Sequence, residues 1–133
     1  MSTGEAQKVT GRFAPSPSGR MHVGNLFSAL LAWLSARSVG GRMVLRLEDL
    51  DPDRTSRAWA DRIEEDLYFL GLDWEEGGHL GGPNGPYYQS ERTELYKMAF
   101  AQLEQKGLLY PCFCTRAQLH TCLLYTSDAA DEL

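Results

Sequence analysis

No run of apolar residues reaches the roughly 18 that a membrane span requires, so nothing in the sequence reads as a membrane-crossing helix. The opening "MSTGEAQKVT" lacks the apolar heart of a secretory signal. Cysteine is scarce, and Cys112, Cys114 and Cys122 crowd one end of the 133 residues. Three neighbouring thiols make a poor disulfide framework, so a reducing cytoplasm is the expected compartment. Internal repeats are absent, and the length allows one domain or less. Charge of one sign is also modest. Asp128, Asp131 and Glu132 supply three of the net −5, leaving a remainder near −2. That balance neither selects nor excludes nucleic acid, which would have to be met by a local patch.

What is present is a core's worth of apolar residues, 43% of the chain. Residues 1–8 read as a disordered lead-in. "VTGRFAP" reads as a short strand ending at a proline. Val23, Leu26, Phe27, Leu30, Leu31 and Leu34 follow helical spacing, and Gly40 with Gly41 supplies the stop. "MVLRLED" has the length and continuous apolarity of a buried parallel strand. A second helix is expected with Trp59, Ile63, Leu67 and Leu70 on its inner face. "EEGGHLGGPNGP" is a loop by composition. A third helix over 90–106, capped by Ser90, would turn Leu95, Met98, Ala99 and Leu103 inward. "LLYPCF" reads as another strand, and "TRAQLH" as the start of a fourth helix. Strand and helix in alternation predict an α/β fold with a parallel sheet.

In such sheets ligands bind beyond the carboxyl ends of the strands. The loop after the first strand, "APSPSGRMHVGN", combines two prolines that fix the backbone with glycines that let a ligand approach. His22 stands at the entrance of the following helix, where its ring can donate to a phosphate. Taken alone, "PSPSG" is a turn as readily as a ligand loop.

"RFAPSPSGRMHVGN" does not stand alone. It resembles the first signature, His-Ile-Gly-His, of class I aminoacyl-tRNA synthetases of the glutamyl and glutaminyl branch. The resemblance continues in order through "LRLEDLDPDR", "LGLDW", "GPYYQSER" and "GLLYPCFCTRAQL", covering about residues 9–120. Asn25 holds the fourth signature position in place of His, a variation the glutamyl branch tolerates. "LEDLDPDR" is closer to the short glutamyl-Q members, which attach glutamate to the queuosine base of tRNA(Asp), than to full-length glutamyl-tRNA synthetases, where "EDTD" is usual.

The resemblance implies the N-terminal half of a Rossmann-like nucleotide-binding domain over residues 1–84 and the start of an inserted acceptor and zinc subdomain over 85–121. It implies ATP (with magnesium), glutamate and tRNA as partners. Pro15, His22, Gly24 and Asn25 match ATP-binding positions, with His22 in the catalytic role. Arg12, Phe13, Ala14, Pro15, Ser16 and Glu48 match glutamate-binding positions. The chemistry agrees: a guanidinium such as Arg12 holds a carboxylate through two parallel hydrogen bonds, and a strand-end carboxylate such as Glu48 can accept from an ammonium. The bland alternatives are an edge-strand salt bridge for Arg12 and a strand-end residue in water for Glu48.

Cys112 and Cys114 match two zinc ligands of the family. Structural zinc needs four ligands, so free thiols are expected here and zinc in the intact protein. His79 and His120 lack partners at metal-ligand spacing and read as surface residues. Residues 122–133, "CLLYTSDAADEL", resemble translated adaptor sequence and are expected not to be native. The pattern stops before the family's Lys-Met-Ser-Lys-Ser loop, so the 133 residues alone are expected to be inactive. A non-catalytic tRNA-binding paralogue is the rival reading, disfavoured because Arg12, Ser16, His22 and Glu48 occur together.

Overall fold

The computed structural model describes residues 9–115 and 117–119. The readings of residues 1–8 and 122–133, with His120 and Cys122, lie outside them. The chain forms two compact units, one through Tyr96 and the other from Lys97.

The first unit is built on a three-stranded parallel sheet. Strand β1 (Thr10–Phe13) is followed by helix α1 (Val23–Arg37), strand β2 (Arg42–Leu45), helix α2 (Arg57–Phe69) and a two-residue strand β3 (Glu76–Gly77). The sheet order is β1-β2-β3, with Thr10 opposite Arg42, Phe13 opposite Leu45, and Leu45 opposite Gly77. The expected α/β architecture is therefore present. Strand β3 lies inside the stretch that composition marks as a loop. Its two residues carry no apolar signal, and its place is set by contact. Gly77 has φ +98, and a Cβ there would lie 1.9 Å from the Leu45 carbonyl oxygen. Only glycine lets the backbone come that close.

The core is Phe13, Ala36, Met43, Leu45, Leu47, Ala60, Ile63, Leu67, Leu72 and Trp74. Helix α1 meets it in an unexpected way. The regular stripe of Val23, Phe27, Leu30, Leu31 and Leu34 is exposed, Val23 by 82%. The packed face is Ala29, Ala32, Trp33 and Ala36. The reason is close approach: a Cβ on Gly11 would meet the Ala36 Cβ at 2.9 Å, so only small residues fit between helix and strand.

Helix α2 follows the ordinary rule more closely. Ser56 caps it, its Oγ accepting from the Trp59 amide at 3.3 Å. Ala60, Ile63, Glu64 and Leu67 are buried, whereas Trp59 and Leu70, expected inward, are largely exposed. Glu64 is the surprise on that face. It accepts from the His79 amide at 3.1 Å and meets the His79 ring, so its buried carboxylate is satisfied. His79 is exposed as expected, yet it serves as this partner.

A 3-10 turn (Gln89–Arg92) runs into helix α3 (Thr93–Gln105). Ser90 does not cap α3; its amide and hydroxyl donate to Asp49 at 2.9 and 2.6 Å. No residue of α3 is buried, contrary to the inward face expected for Leu95, Met98, Ala99 and Leu103. In the second unit, residues 108–113 form no strand. Residues 117–119 begin a helical turn, introduced by Thr115 and Gln118, each of whose side chains accepts from the other's amide. Among the described residues no helix is long and apolar enough to cross a membrane.

Candidate active site

The loop from Ala14 to His22 leaves the carboxyl end of β1 and is pinned by backbone bonds on two sides. The Glu48 amide donates to the Pro15 carbonyl at 2.9 Å, and the Ser56 amide to the Pro17 carbonyl at 3.1 Å. Pro17 is fully buried between them. A proline-fixed backbone held at two carbonyls loses little further entropy when a ligand arrives.

Beside this loop lies a cavity of about 550 Å³. Arg12, Phe13, Ala14, Pro15, Ser16, His22 and Asn25 line it, together with Arg20, Ser18, Ser28 and small residues of α1. No aspartate or glutamate does, although the chain as a whole is acidic. Arg12 makes no ion pair among the described residues. Arg20 is tied to Asp66 of α2 at 2.9 Å.

His22 caps α1 and is oriented by that cap. Its Nδ1 accepts from the Gly24 amide at 3.2 Å. The neutral ring therefore carries its proton on Nε2, which is left as a donor. Gly24 itself does not line the cavity; its N–H is spent in setting the tautomer.

Glu48 lies elsewhere. It lines an adjoining cavity of about 280 Å³ with Asp51, Arg54, Thr55 and Gln89, and Ser16 and Ser18 line both cavities. Its Oε1 accepts from Arg46 Nη2 at 2.6 Å, which leaves Oε2 for another donor. The glutamate-binding positions that the resemblance implies are thus divided between two chambers sharing a serine wall.

Apart from Glu48 and Ser16, the smaller chamber depends on residues to which the sequence assigns no site role. The segment at Tyr87–Gln89 docks beside Leu47: the Leu47 amide donates to the Tyr87 carbonyl at 2.8 Å, and the Gln89 amide to the Leu47 carbonyl at 3.0 Å. Buried Glu76 anchors it. Its Oε1 accepts from the Tyr87 hydroxyl and from Asn84 at 2.8 Å. Arg42 Nη2 lies 3.0 Å from Oε2 but is not aligned to donate. The Tyr87 bond first, then Asn84 and the Arg42 charge, outweigh desolvation and hold the Glu76 carboxyl below its ordinary pKa.

Cys112 and Cys114 are exposed free thiols. Among the described residues no third histidine, cysteine, aspartate or glutamate joins them in a metal-binding group. Two thiols alone do not complete the four-ligand shell of a structural zinc.

A family profile described as "tRNA synthetases class I (E and Q), catalytic domain" matches residues 8–124. The chain belongs to this family. It is 59% identical over 111 residues to a glutamyl-Q tRNA(Asp) synthetase of Symbiobacterium thermophilum, covering 84% of this chain and 34% of that protein. A glutamate–tRNA ligase of the same organism is 50% identical over 110 residues, covering 83% of this chain and 23% of the ligase. A crystal structure of a glutamate tRNA ligase from Elizabethkingia meningosepticum, in complex with its amino acid, superposes with a TM-score of 0.75 at 36% identity. That superposition covers 90% of this chain and 24% of the ligase. The chain spans about a third or less of the length of these relatives.

Proposed function

We propose that this chain supplies the glutamate- and ATP-binding part of an ATP-dependent glutamate–tRNA ligase. The observation that carries the reading is the charge division between the chambers. Two arginines and a histidine donor, with no carboxylate, suit anions. A free carboxylate oxygen next door suits an ammonium.

The chemistry needs no protein nucleophile. The α-carboxylate of glutamate attacks the α-phosphorus of ATP, forming an acyl phosphate bond while pyrophosphate leaves. Rate then comes from positioning and from charge stabilisation at the transferring group. Arg12 grips the side-chain carboxylate of glutamate, with Phe13, Ala14, Pro15 and Ser16 forming the wall around it. Glu48 Oε2 accepts from the ammonium. His22 Nε2 donates to the α-phosphate, beside Asn25 and the turn at Gly24. ATP enters with its own magnesium. The exposed thiols of Cys112 and Cys114 suit a reducing cytoplasm.

The nucleic-acid partner is tRNA(Asp), and the acceptor its queuosine base. "LEDLDPDR" and the 59% identity to a glutamyl-Q relative favour this over ordinary glutamyl-tRNA formation. The 50% identity to a glutamate–tRNA ligase keeps that second reading in the test.

The test grafts this chain in place of the matched segment of the glutamyl-Q relative and measures glutamate-dependent pyrophosphate exchange. Arg12→Lys should lower kcat/KM for glutamate about 10- to 100-fold, the scale of a charge-assisted bond, with ATP hardly affected. Equal losses for both substrates would remove Arg12 from the amino-acid site. Charging of queuosine-bearing tRNA(Asp), and not of the unmodified form, is the expected acceptor pattern; charging of tRNA(Glu) instead favours the second reading.

A further inference from the structure

We propose that Arg20 is a second phosphate contact of the larger chamber, positioned at its rim by Asp66 and directed at the polyphosphate tail of ATP. The inference rests on the reading just given of that chamber as the ATP and glutamate site.

Arg20 lines the chamber two residues before His22. One guanidinium nitrogen is engaged, donating to Asp66 Oδ1 at 2.9 Å. No other described residue accepts from it, so most of its five N–H donors remain for a ligand. Its side chain is 67% exposed, against 19% for Asp66. The contact thus anchors the arginine to α2 from one side and leaves the rest at the mouth.

The two chamber arginines are not equivalent. Arg12 belongs to the sheet, where β1 fixes its backbone. Arg20 belongs to the loop, at the entrance of α1, whose first turn holds no acidic residue. A polyphosphate carries several charges and keeps part of its length in water. Its outer phosphates match a rim cation, and its inner phosphate matches His22. Asp66 is not among the lining residues, so it orients Arg20 without presenting its own charge to the chamber.

A mere structural tie between loop and helix makes a different prediction from a ligand contact. Breaking a tie from either end should have the same effect. In a contact, Arg20→Gln removes the binding charge, whereas Asp66→Asn keeps an oxygen that can accept from Arg20 and so hold it in place, and removes only the charge that competes with the ligand.

The experiment titrates the full 133-residue chain with inorganic tripolyphosphate, ATP, adenosine and glutamate, following amide shifts or heat. Arg20→Gln should weaken tripolyphosphate and ATP about 3- to 10-fold, as for one exposed charge-assisted contact, and leave adenosine and glutamate unchanged. Asp66→Asn should bind tripolyphosphate as well as the parent or more tightly. Arg20→Lys should recover part of the loss. Equal weakening by Arg20→Gln and Asp66→Asn overturns the inference in favour of a tie. Unchanged polyphosphate binding in Arg20→Gln overturns it too, while leaving the chamber's function standing. Failure of the parent chain to bind any polyphosphate would instead overturn the reading on which it rests.

Discussion

The two chambers share Ser16 and Ser18, but they are assembled differently. The larger takes almost all of its lining from one continuous stretch, Arg12 to Ala32, with Leu67 as the distant exception. The smaller joins Ser16 and Ser18 to Glu48, Arg54 and Gln89, residues far apart in the chain. The first is fixed by local geometry: a strand end, two prolines and a helix cap. The second exists only when the segment at Tyr87–Gln89 has docked beside Leu47. Damage to the core network should therefore reach the ammonium side first and the phosphate side last.

The largest effect belongs to the local chamber. His22→Ala should lower kcat for glutamate activation by about 10² to 10³, the usual scale for one donor aimed at developing charge. His22 is also a cap, so the alanine variant confounds two losses. His22→Asn separates them, because a short amide can still accept from Gly24 but cannot reach as far as Nε2. In the grafted enzyme, the asparagine variant should keep its melting temperature and still lose kcat. Retention of kcat with a higher ATP KM would make His22 a ground-state contact only.

A smaller effect should fall on the assembled chamber. Glu76→Gln keeps the shape of the side chain but removes the charge to which Tyr87 and Asn84 donate. The loss should be roughly 1–3 kcal/mol of stability at pH 7. Its pH dependence has a definite sign. The folded pKa lies below the ordinary 4.5, so the stabilisation is fully present above that value. It fades as pH falls below 4.5 through the folded value. Urea unfolding at pH 7 and at pH 4 should show the variant's deficit shrinking in acid. Asp73 and Glu75 are lowered as well and should leave both proteins with some acid sensitivity. In the graft, glutamate KM should rise while ATP KM stays put. An equal rise in both would erase the difference between the chambers.

What the sequence reveals follows the same division. β1, β2 and the cleft loop are legible because each is a local pattern: an apolar run, or prolines and glycines before a helix. Seven of the expected site residues line one chamber for that reason. Strand β3 and the Glu76 anchor carry no local signal, since a buried glutamate looks like any acidic loop residue until its partners are known. Gln89 lies in the "GPYYQSER" motif, but nothing local shows that it lines a chamber. Helix α1 misleads differently. Its apolar stripe is periodic, but it is the alanine face that packs, because Gly11 and Ala36 demand close approach. Periodicity finds the helix and not which face meets the sheet. On α2 the buried set includes a glutamate, which an apolar stripe cannot forecast.

The smallest effect should come from the wall between the chambers, and it should be even-handed. Ser56 caps α2 through its hydroxyl and holds the Pro17 carbonyl through its amide. Ser56→Ala removes the first bond and keeps the second. The expected cost is about 1 kcal/mol, the ordinary value of an N-cap, read as a lower urea midpoint at unchanged slope. Pro17 stays buried and its carbonyl stays bonded, so Ser16 and Ser18 should shift together. KM for glutamate and KM for ATP should then change by similar small factors, within about twofold for a loss this size outside both sites. Ser56→Asp, another capping side chain, should restore stability and both constants. If Ser56→Ala raised the glutamate KM alone, the serine wall would belong to the assembled chamber rather than to both, and the two would have to be redrawn with Ser16 and Ser18 on the ammonium side.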